Sequence, residues 1–205
     1  MIRGVLFDLG GLFVRPTTTR RDEVGEHLGL PLERIEEFTA GLTPSLTTGQ
    51  LSLRDFYRQL VAYAGRGDPD HLLQLHLERF TASAHQWEPR MVALVEELRP
   101  RYGVACLSNT EVEGACIARQ SGLCDLFDKS YLSVELGMKK PDAEIYRAAL
   151  DDWGMAPAEV LFTDDVEENV RGAQTVGMPA HLFVSAERLR EELETRWGLL
   201  GGACV

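Results

Sequence analysis

The sequence has few lysines, few cysteines and no long apolar run. Only three of its 21 basic residues are lysines (Lys129, Lys139 and Lys140), and 32 acids set the formal net charge at −11. That balance offers no basic face to nucleic acid or to an anionic membrane surface, so any phosphate binding has to be local. The four cysteines (Cys106, Cys116, Cys124, Cys204) form no CxxC pair. With no export signal, they read as reduced thiols of a cytoplasmic protein. No apolar stretch approaches the ~18 residues that would span a membrane. The run Ile2–Phe7 meets Asp8 too early to serve as a signal-peptide core. Five histidines (His27, His71, His76, His85, His181) lack ligand spacing, which argues against zinc. What is there is ordinary globular usage: 205 residues, 44% apolar and 26% charged, enough for one or two domains with a real core.

The pattern along the chain changes twice. Residues 2–7 form a short apolar run before the pair Gly10-Gly11, as expected of a buried strand and a tight turn. Residues 16–87 carry helical patterns and no strong strand: three or four helices, one opened by Pro31 and one capped by Ser52 and closed by Gly65. From about residue 88 helix and strand alternate, with strands expected at Gly103–Leu107, Lys129–Val134, Val160–Thr163 and Ala180–Val184. Helices are expected from Glu111 to Ser121 and from Pro141 to Gly154, and Ser185 caps the last one. Alternating elements predict an α/β fold with a doubly wound parallel sheet. The domain boundaries expected are 1–15 and 88–205 for the core and 16–87 for a helical insert.

Ligands of such sheets bind beyond the carboxyl ends of the strands. There the sequence puts its polar clusters: Asp8 after the first strand, Ser108-Asn109-Thr110 after the second, and Asp164-Asp165 after Val160–Thr163. Lys139-Lys140-Pro141 opens the helix between them. Paired carboxylates are hard oxygen ligands suited to Mg²⁺. Hydroxyl, amide and backbone N–H groups hold phosphate oxygens, and a lysine adds a compact positive charge. An Asp can also attack phosphorus as a nucleophile. Together these parts fit phosphoryl transfer.

Four segments, Phe7-Asp8-Leu9-Gly10-Gly11-Leu12, Leu107-Ser108-Asn109-Thr110, Gly137-Met138-Lys139-Lys140-Pro141-Asp142 and Phe162-Thr163-Asp164-Asp165-Val166-Glu167-Glu168-Asn169, resemble the motifs of the haloacid dehalogenase (HAD) superfamily. Their order and spacing agree: 100 residues from Asp8 to Ser108, 32 to Lys140 and 25 to Asp165. The chain looks most like the subgroup that includes α-D-glucose-1-phosphate phosphatase, and residues 16–87 resemble that family's C1 cap. The resemblance implies a HAD-like Rossmannoid core and a phosphatase acting on a small phosphate ester. Asp8 would be nucleophile and Mg²⁺ ligand, with the backbone carbonyl of Gly10 and Asp165 as further ligands. Asp164 would support the metal ligands from behind, and Asn169 would act directly or through water. Ser108, Asn109 and Lys140 would bind phosphate, with Lys140 also catalytic.

One position departs from the family pattern. Most phosphatases of the family carry Asp two residues after the nucleophile as general acid and base, and here that residue is Gly10. Such a group typically contributes ~10²–10⁴-fold. Its absence favours a substrate with a good leaving group, such as a sugar 1-phosphate, and leaves Glu111, Glu113 or a residue of the insert to activate water. Two other readings fit the motif set: a haloacid dehalogenase attacking carbon, which needs neither metal nor acid, and a non-catalytic module that binds phosphate esters. Arg15, Thr18, Arg20, Arg21 and the loop Thr47-Thr48-Gly49-Gln50 are further candidates for contact with the rest of the substrate. The sequence fixes no oligomeric state.

Overall fold

The computed structural model describes residues 1–14, 19–83 and 86–201. Arg15, Thr18, His85 and Cys204 lie outside these residues, as do the side chains of Arg20 and Arg21. The chain opens with β1 (Gly4–Phe7) and continues into five helices: α1 (Thr19–Leu28), α2 (Leu32–Ala40), α3 (Thr43–Thr47), α4 (Leu53–Ala64) and α5 (Pro69–Ser83). It then alternates through α6 (Pro89–Leu98), β2 (Gly103–Ser108), α7 (Val112–Gln120), β3 (Lys129–Leu132) and the short α8 (Ser133–Leu136). It ends with α9 (Ala143–Trp153), β4 (Val160–Asp164), α10 (Glu167–Thr175), β5 (Ala180–Leu182) and α11 (Ala186–Thr195).

The five strands are parallel in the order β3-β2-β1-β4-β5, the doubly wound sheet expected. Strands buried on both faces need apolar residues at successive positions. In β1, Val5 and Phe7 face a layer that includes Met91, Leu94, Leu189 and Leu193 of α6 and α11. Leu6 faces the opposite layer, with Ile145, Tyr146 and Ala173 of α9 and α10. The helices after β1 bury a separate cluster, including Leu28, Leu53, Phe56, Tyr57, Leu60 and Leu72.

Local signals mark several element ends. Ser52 accepts a hydrogen bond from the Asp55 N–H at 3.1 Å, and Gly65 closes α4 in the left-handed region. The Ser185 hydroxyl caps α11 by accepting from the Arg188 N–H. Four expectations are corrected, one being that the strand expected at Ala180–Val184 ends at Leu182. The helices between β1 and α6 number five among the described residues, because Thr43–Thr47 forms a separate short turn. The strand expected at Lys129–Val134 stops at Leu132. There the chain turns into α8, the Ser133 hydroxyl pointing inward to bond two backbone carbonyls and Gly137 ending the turn at φ 66°. The helix expected to open at Pro141 begins at Ala143, with Asp142 still extended.

The chain leaves and re-enters the sheet layer at one place. Val14 bridges both Gly10 and Trp87, and the Glu88 N–H donates to the Phe13 carbonyl at 2.9 Å. Among the described residues no helix is long and apolar enough to cross a membrane.

Candidate active site

The strand registers assemble the site. β1 pairs Phe7 with Cys106 of β2 on one side and with Thr163 of β4 on the other. The next residues, Asp8 and Asp164, therefore emerge side by side, and the Asp8 N–H donates to the Thr163 carbonyl at 2.9 Å. Between them lies the Lys140 ammonium, 2.7 Å from Asp8 Oδ1 and 2.6 Å from Asp164 Oδ2. Its side chain is 1% exposed and sits over the Phe162 ring. A charge so far from water is tolerable only when paired and hydrogen-bonded, as here.

Asp164 is the fixed partner in this arrangement. Its Oδ1 accepts from the Val166 N–H at 2.8 Å, and the Asn169 amide donates to both carboxylate oxygens at 3.0 and 3.1 Å. Asn169 is held in turn where the Tyr146 hydroxyl donates to its carbonyl at 2.7 Å. Burial pushes the Asp8 carboxyl up to about 6, with Lys140 opposing the rise and Asp164 adding to it. Burial and the neighbouring Asp164 also raise Asp165. Burial alone would lower the Lys140 ammonium, but Asp8 and Asp164 together hold it above its ordinary range.

One carboxylate oxygen from each of Asp8, Asp164 and Asp165 lies within 4.8 Å of the others. This hard-oxygen donor set fits Mg²⁺. Asp164 already spends its oxygens on Lys140, Asn169 and a backbone N–H, so Asp8 and Asp165 are the better-placed ligands of the three. Gly11 makes room for Asp165: it holds φ 71°, and a Cβ there would fall 2.1 Å from Asp165 Oδ2. A Cβ on Gly10 would meet nothing closer than Asp8 Oδ2 at 3.7 Å, so that position is open.

Ser108 is buried at the end of β2. The Asn109 side chain exchanges hydrogen bonds with the backbone of Lys140, donating to its carbonyl at 2.9 Å and accepting from its N–H at 2.8 Å. The Thr110 N–H donates to the Ser133 hydroxyl, which donates to the Thr47 carbonyl at 2.6 Å, tying the helical insert to this loop.

Other candidates fall elsewhere. Lys139 pairs with Asp142 at 3.3 Å on the rim of a polar cavity of about 260 Å³. Thr48 and Gln50 line the same seam. The Glu111 carboxylate accepts from His76 Nε2 at 2.7 Å. His27 accepts from the Asp68 N–H and packs on His71, while His181 is buried in β5. Cys106, Cys116 and Cys124 are free thiols. Ser133 and Tyr146 stand in no motif and were not singled out from the sequence, and His76 was noted there only as a histidine without ligand spacing.

A family model for haloacid dehalogenase-like hydrolases matches residues 2–177. The chain is 29% identical to D-ribitol-5-phosphate phosphatase of Bacteroides thetaiotaomicron, over 94% of this chain and 97% of that protein. A HAD-like family hydrolase from Porphyromonas gingivalis matches with a TM-score of 0.76 at 25% identity, covering 96% of this chain and 98% of its own. A HAD family enzyme from Bacteroides thetaiotaomicron, a mutant in complex with magnesium and inorganic phosphate, matches with a TM-score of 0.69 at 26% identity, covering 90% and 95%. None of the three singles out the glucose-1-phosphate subgroup.

Proposed function

The chain belongs to the haloacid dehalogenase-like hydrolase family, and we propose that this phosphatase is Mg²⁺-dependent and cleaves a small phosphorylated metabolite through an aspartyl-phosphate. That it is a phosphoric monoester hydrolase follows from its family and its phosphatase relatives. The observation that carries the finer reading is the Lys140 ammonium held between Asp8 and Asp164, with an Asp165 oxygen within 4.8 Å of theirs. An attacking carboxylate, a paired lysine and a divalent-metal donor set meet at one sheet edge, as phosphoryl transfer requires.

In this reading Asp8 forms a bond to phosphorus while the ester P–O bond opposite breaks. Lys140 faces the developing charge on the equatorial oxygens, positioned by Asp164 and by the Asn109 amide. The Ser108 hydroxyl and the remaining Asn109 amide hydrogen are the further donors to phosphate. Asp8, Asp165 and the Gly10 carbonyl would hold Mg²⁺, which when bound neutralises phosphate charge and fixes the attack geometry. Water then cleaves the acyl phosphate and returns Asp8. With no acid at Gly10, the leaving oxygen takes its proton from solvent. This favours an acidic leaving group such as the anomeric hydroxyl of a sugar 1-phosphate.

The test is phosphate release from glucose-1-phosphate, glucose-6-phosphate and p-nitrophenyl phosphate, each with Mg²⁺ and with chelator. Turnover that needs metal and disappears in Asp8→Asn is expected. Equal rates on the two glucose phosphates would remove the leaving-group argument, and halide release from a haloacid without metal would replace the whole reading with carbon attack.

A further inference from the structure

A buried polar chain crosses from the helical insert to the core without touching Asp8 or Lys140. The Tyr57 hydroxyl of α4 lies 2.9 Å from His76 Nδ1 of α5, and His76 Nε2 lies 2.7 Å from Glu111 Oε1. His76 and Tyr57 are buried and Glu111 nearly so. Facing a carboxylate oxygen, Nε2 carries a proton and donates it. The His76 ring stacks on Phe80, and α5 lies so close to α7 that a Cβ on Gly114 would come within 3.1 Å of the Phe80 ring. Burying three polar side chains is costly unless each finds its partner, so the chain is satisfied in one seating of α5.

Glu111 is the N-cap residue of α7, the helix that follows Ser108-Asn109-Thr110. The first N–H groups of a helix lack intrahelical partners and attract anions. An acidic side chain beside them is drawn to the same place. Yet the Glu111 side chain makes no capping hydrogen bond. Its carboxylate is turned to His76 instead.

We propose that His76 is a positioning residue: it holds the Glu111 carboxylate away from the N-terminus of α7, so that the substrate phosphate does not compete with a built-in anion. The proposal rests on the reading of Ser108 to Thr110 as the phosphate-binding segment. Glu111 is therefore kept from self-inhibition by a residue of the insert, and phosphate affinity depends on the seating of α5.

The experiment compares wild type, His76→Ala, His76→Gln and the double variant His76→Ala/Glu111→Gln. It reads the Kd for inorganic phosphate in Mg²⁺ by calorimetry, kcat and KM on p-nitrophenyl phosphate, and the thermal midpoint. A charge at a helix terminus is worth enough to shift binding about tenfold. His76→Ala is expected to raise Kd and KM by about that factor, with kcat changed less than about twofold. Removing the Glu111 charge in the double variant restores Kd although the thermal midpoint stays low, and His76→Gln, which keeps a donor, stays near wild type. A Kd unchanged in His76→Ala overturns the proposal, as does a raised Kd that the double variant fails to restore. Wild-type protein with no metal-dependent turnover to lose in Asp8→Asn would bring down the phosphatase reading itself and this inference with it. Normal wild-type turnover with an indifferent His76→Ala would bring down the inference alone.

Discussion

Asn109 and Lys140 stand 31 residues apart, yet the amide of one and the backbone of the other exchange two hydrogen bonds of 2.9 and 2.8 Å. The pair closes the loop that carries Lys140 onto the end of β2, so the ammonium arrives between Asp8 and Asp164 without searching. Asn109→Ala is expected to lower kcat about 10²-fold, the scale of a small misplacement of a catalytic group. Steady-state kinetics on p-nitrophenyl phosphate measures it, and a loss confined to KM would assign Asn109 to phosphate binding only.

Lys140→Met leaves two buried carboxylates facing each other. Breaking one side of a buried ion pair costs ~3–5 kcal/mol, and the loss of positive charge costs at least ~10²-fold in kcat. Mg²⁺ held by Asp8 and Asp165 would return positive charge beside Asp8, so it is expected to raise the thermal midpoint of the variant more than that of wild type. Calorimetry with and without Mg²⁺ decides.

Gly10 has room for a side chain. Gly10→Asp is expected to add a proton donor for the leaving oxygen and to raise turnover of glucose-6-phosphate relative to glucose-1-phosphate by at least about tenfold, the low end being set by imperfect placement. An unchanged ratio would mean that the leaving group does not limit the reaction.

Gly11 cannot be replaced so freely. Its φ of 71° disfavours any side chain, and a Cβ would press on Asp165 Oδ2. Disturbing a contact that orients a metal ligand typically weakens affinity ~10–100-fold, and Asp165 is the ligand proposed here. Gly11→Ala should therefore raise the Mg²⁺ concentration for half-maximal activity by about that range, read from a metal titration.

His181 gives the stability a pH dependence. Burial holds its imidazole below the ordinary value of 6.5, with Glu192 opposing and Arg196 and Arg188 assisting. Below that value the unfolded chain binds a proton that the folded chain resists, so stability falls as pH drops and this contribution vanishes at higher pH. The thermal midpoint should fall between pH 7.5 and 5.5, and His181→Gln should fall less. An equal fall in both would assign the acid sensitivity to other groups.

The sheet and three candidate residues at its edge were legible because each ends a strand pattern: Asp8 after Phe7, Ser108 after Leu107, and Asp164 after Thr163. The supporting contacts were not. Ser133 looked like the continuation of a strand, and it is bonds to Thr110 and to Thr47, 23 and 86 residues away in sequence, that turn it inward. His76 sits among the leucines of α5 and gains meaning from Glu111, 35 residues on. Such pairs carry no local period, and it is the packing of α3 on α8 and of α5 on α7 that creates them.

The paired entry and exit at Val14 has an architectural consequence. Gly10, Val14 and Trp87 meet at one bridged point, beside which the chain departs from the sheet toward α1–α5 and comes back to it. Every strand register is closed without them. A different helical segment joined at that point would leave β1 and its registers in place and would remove the ties to Ser133 and Glu111.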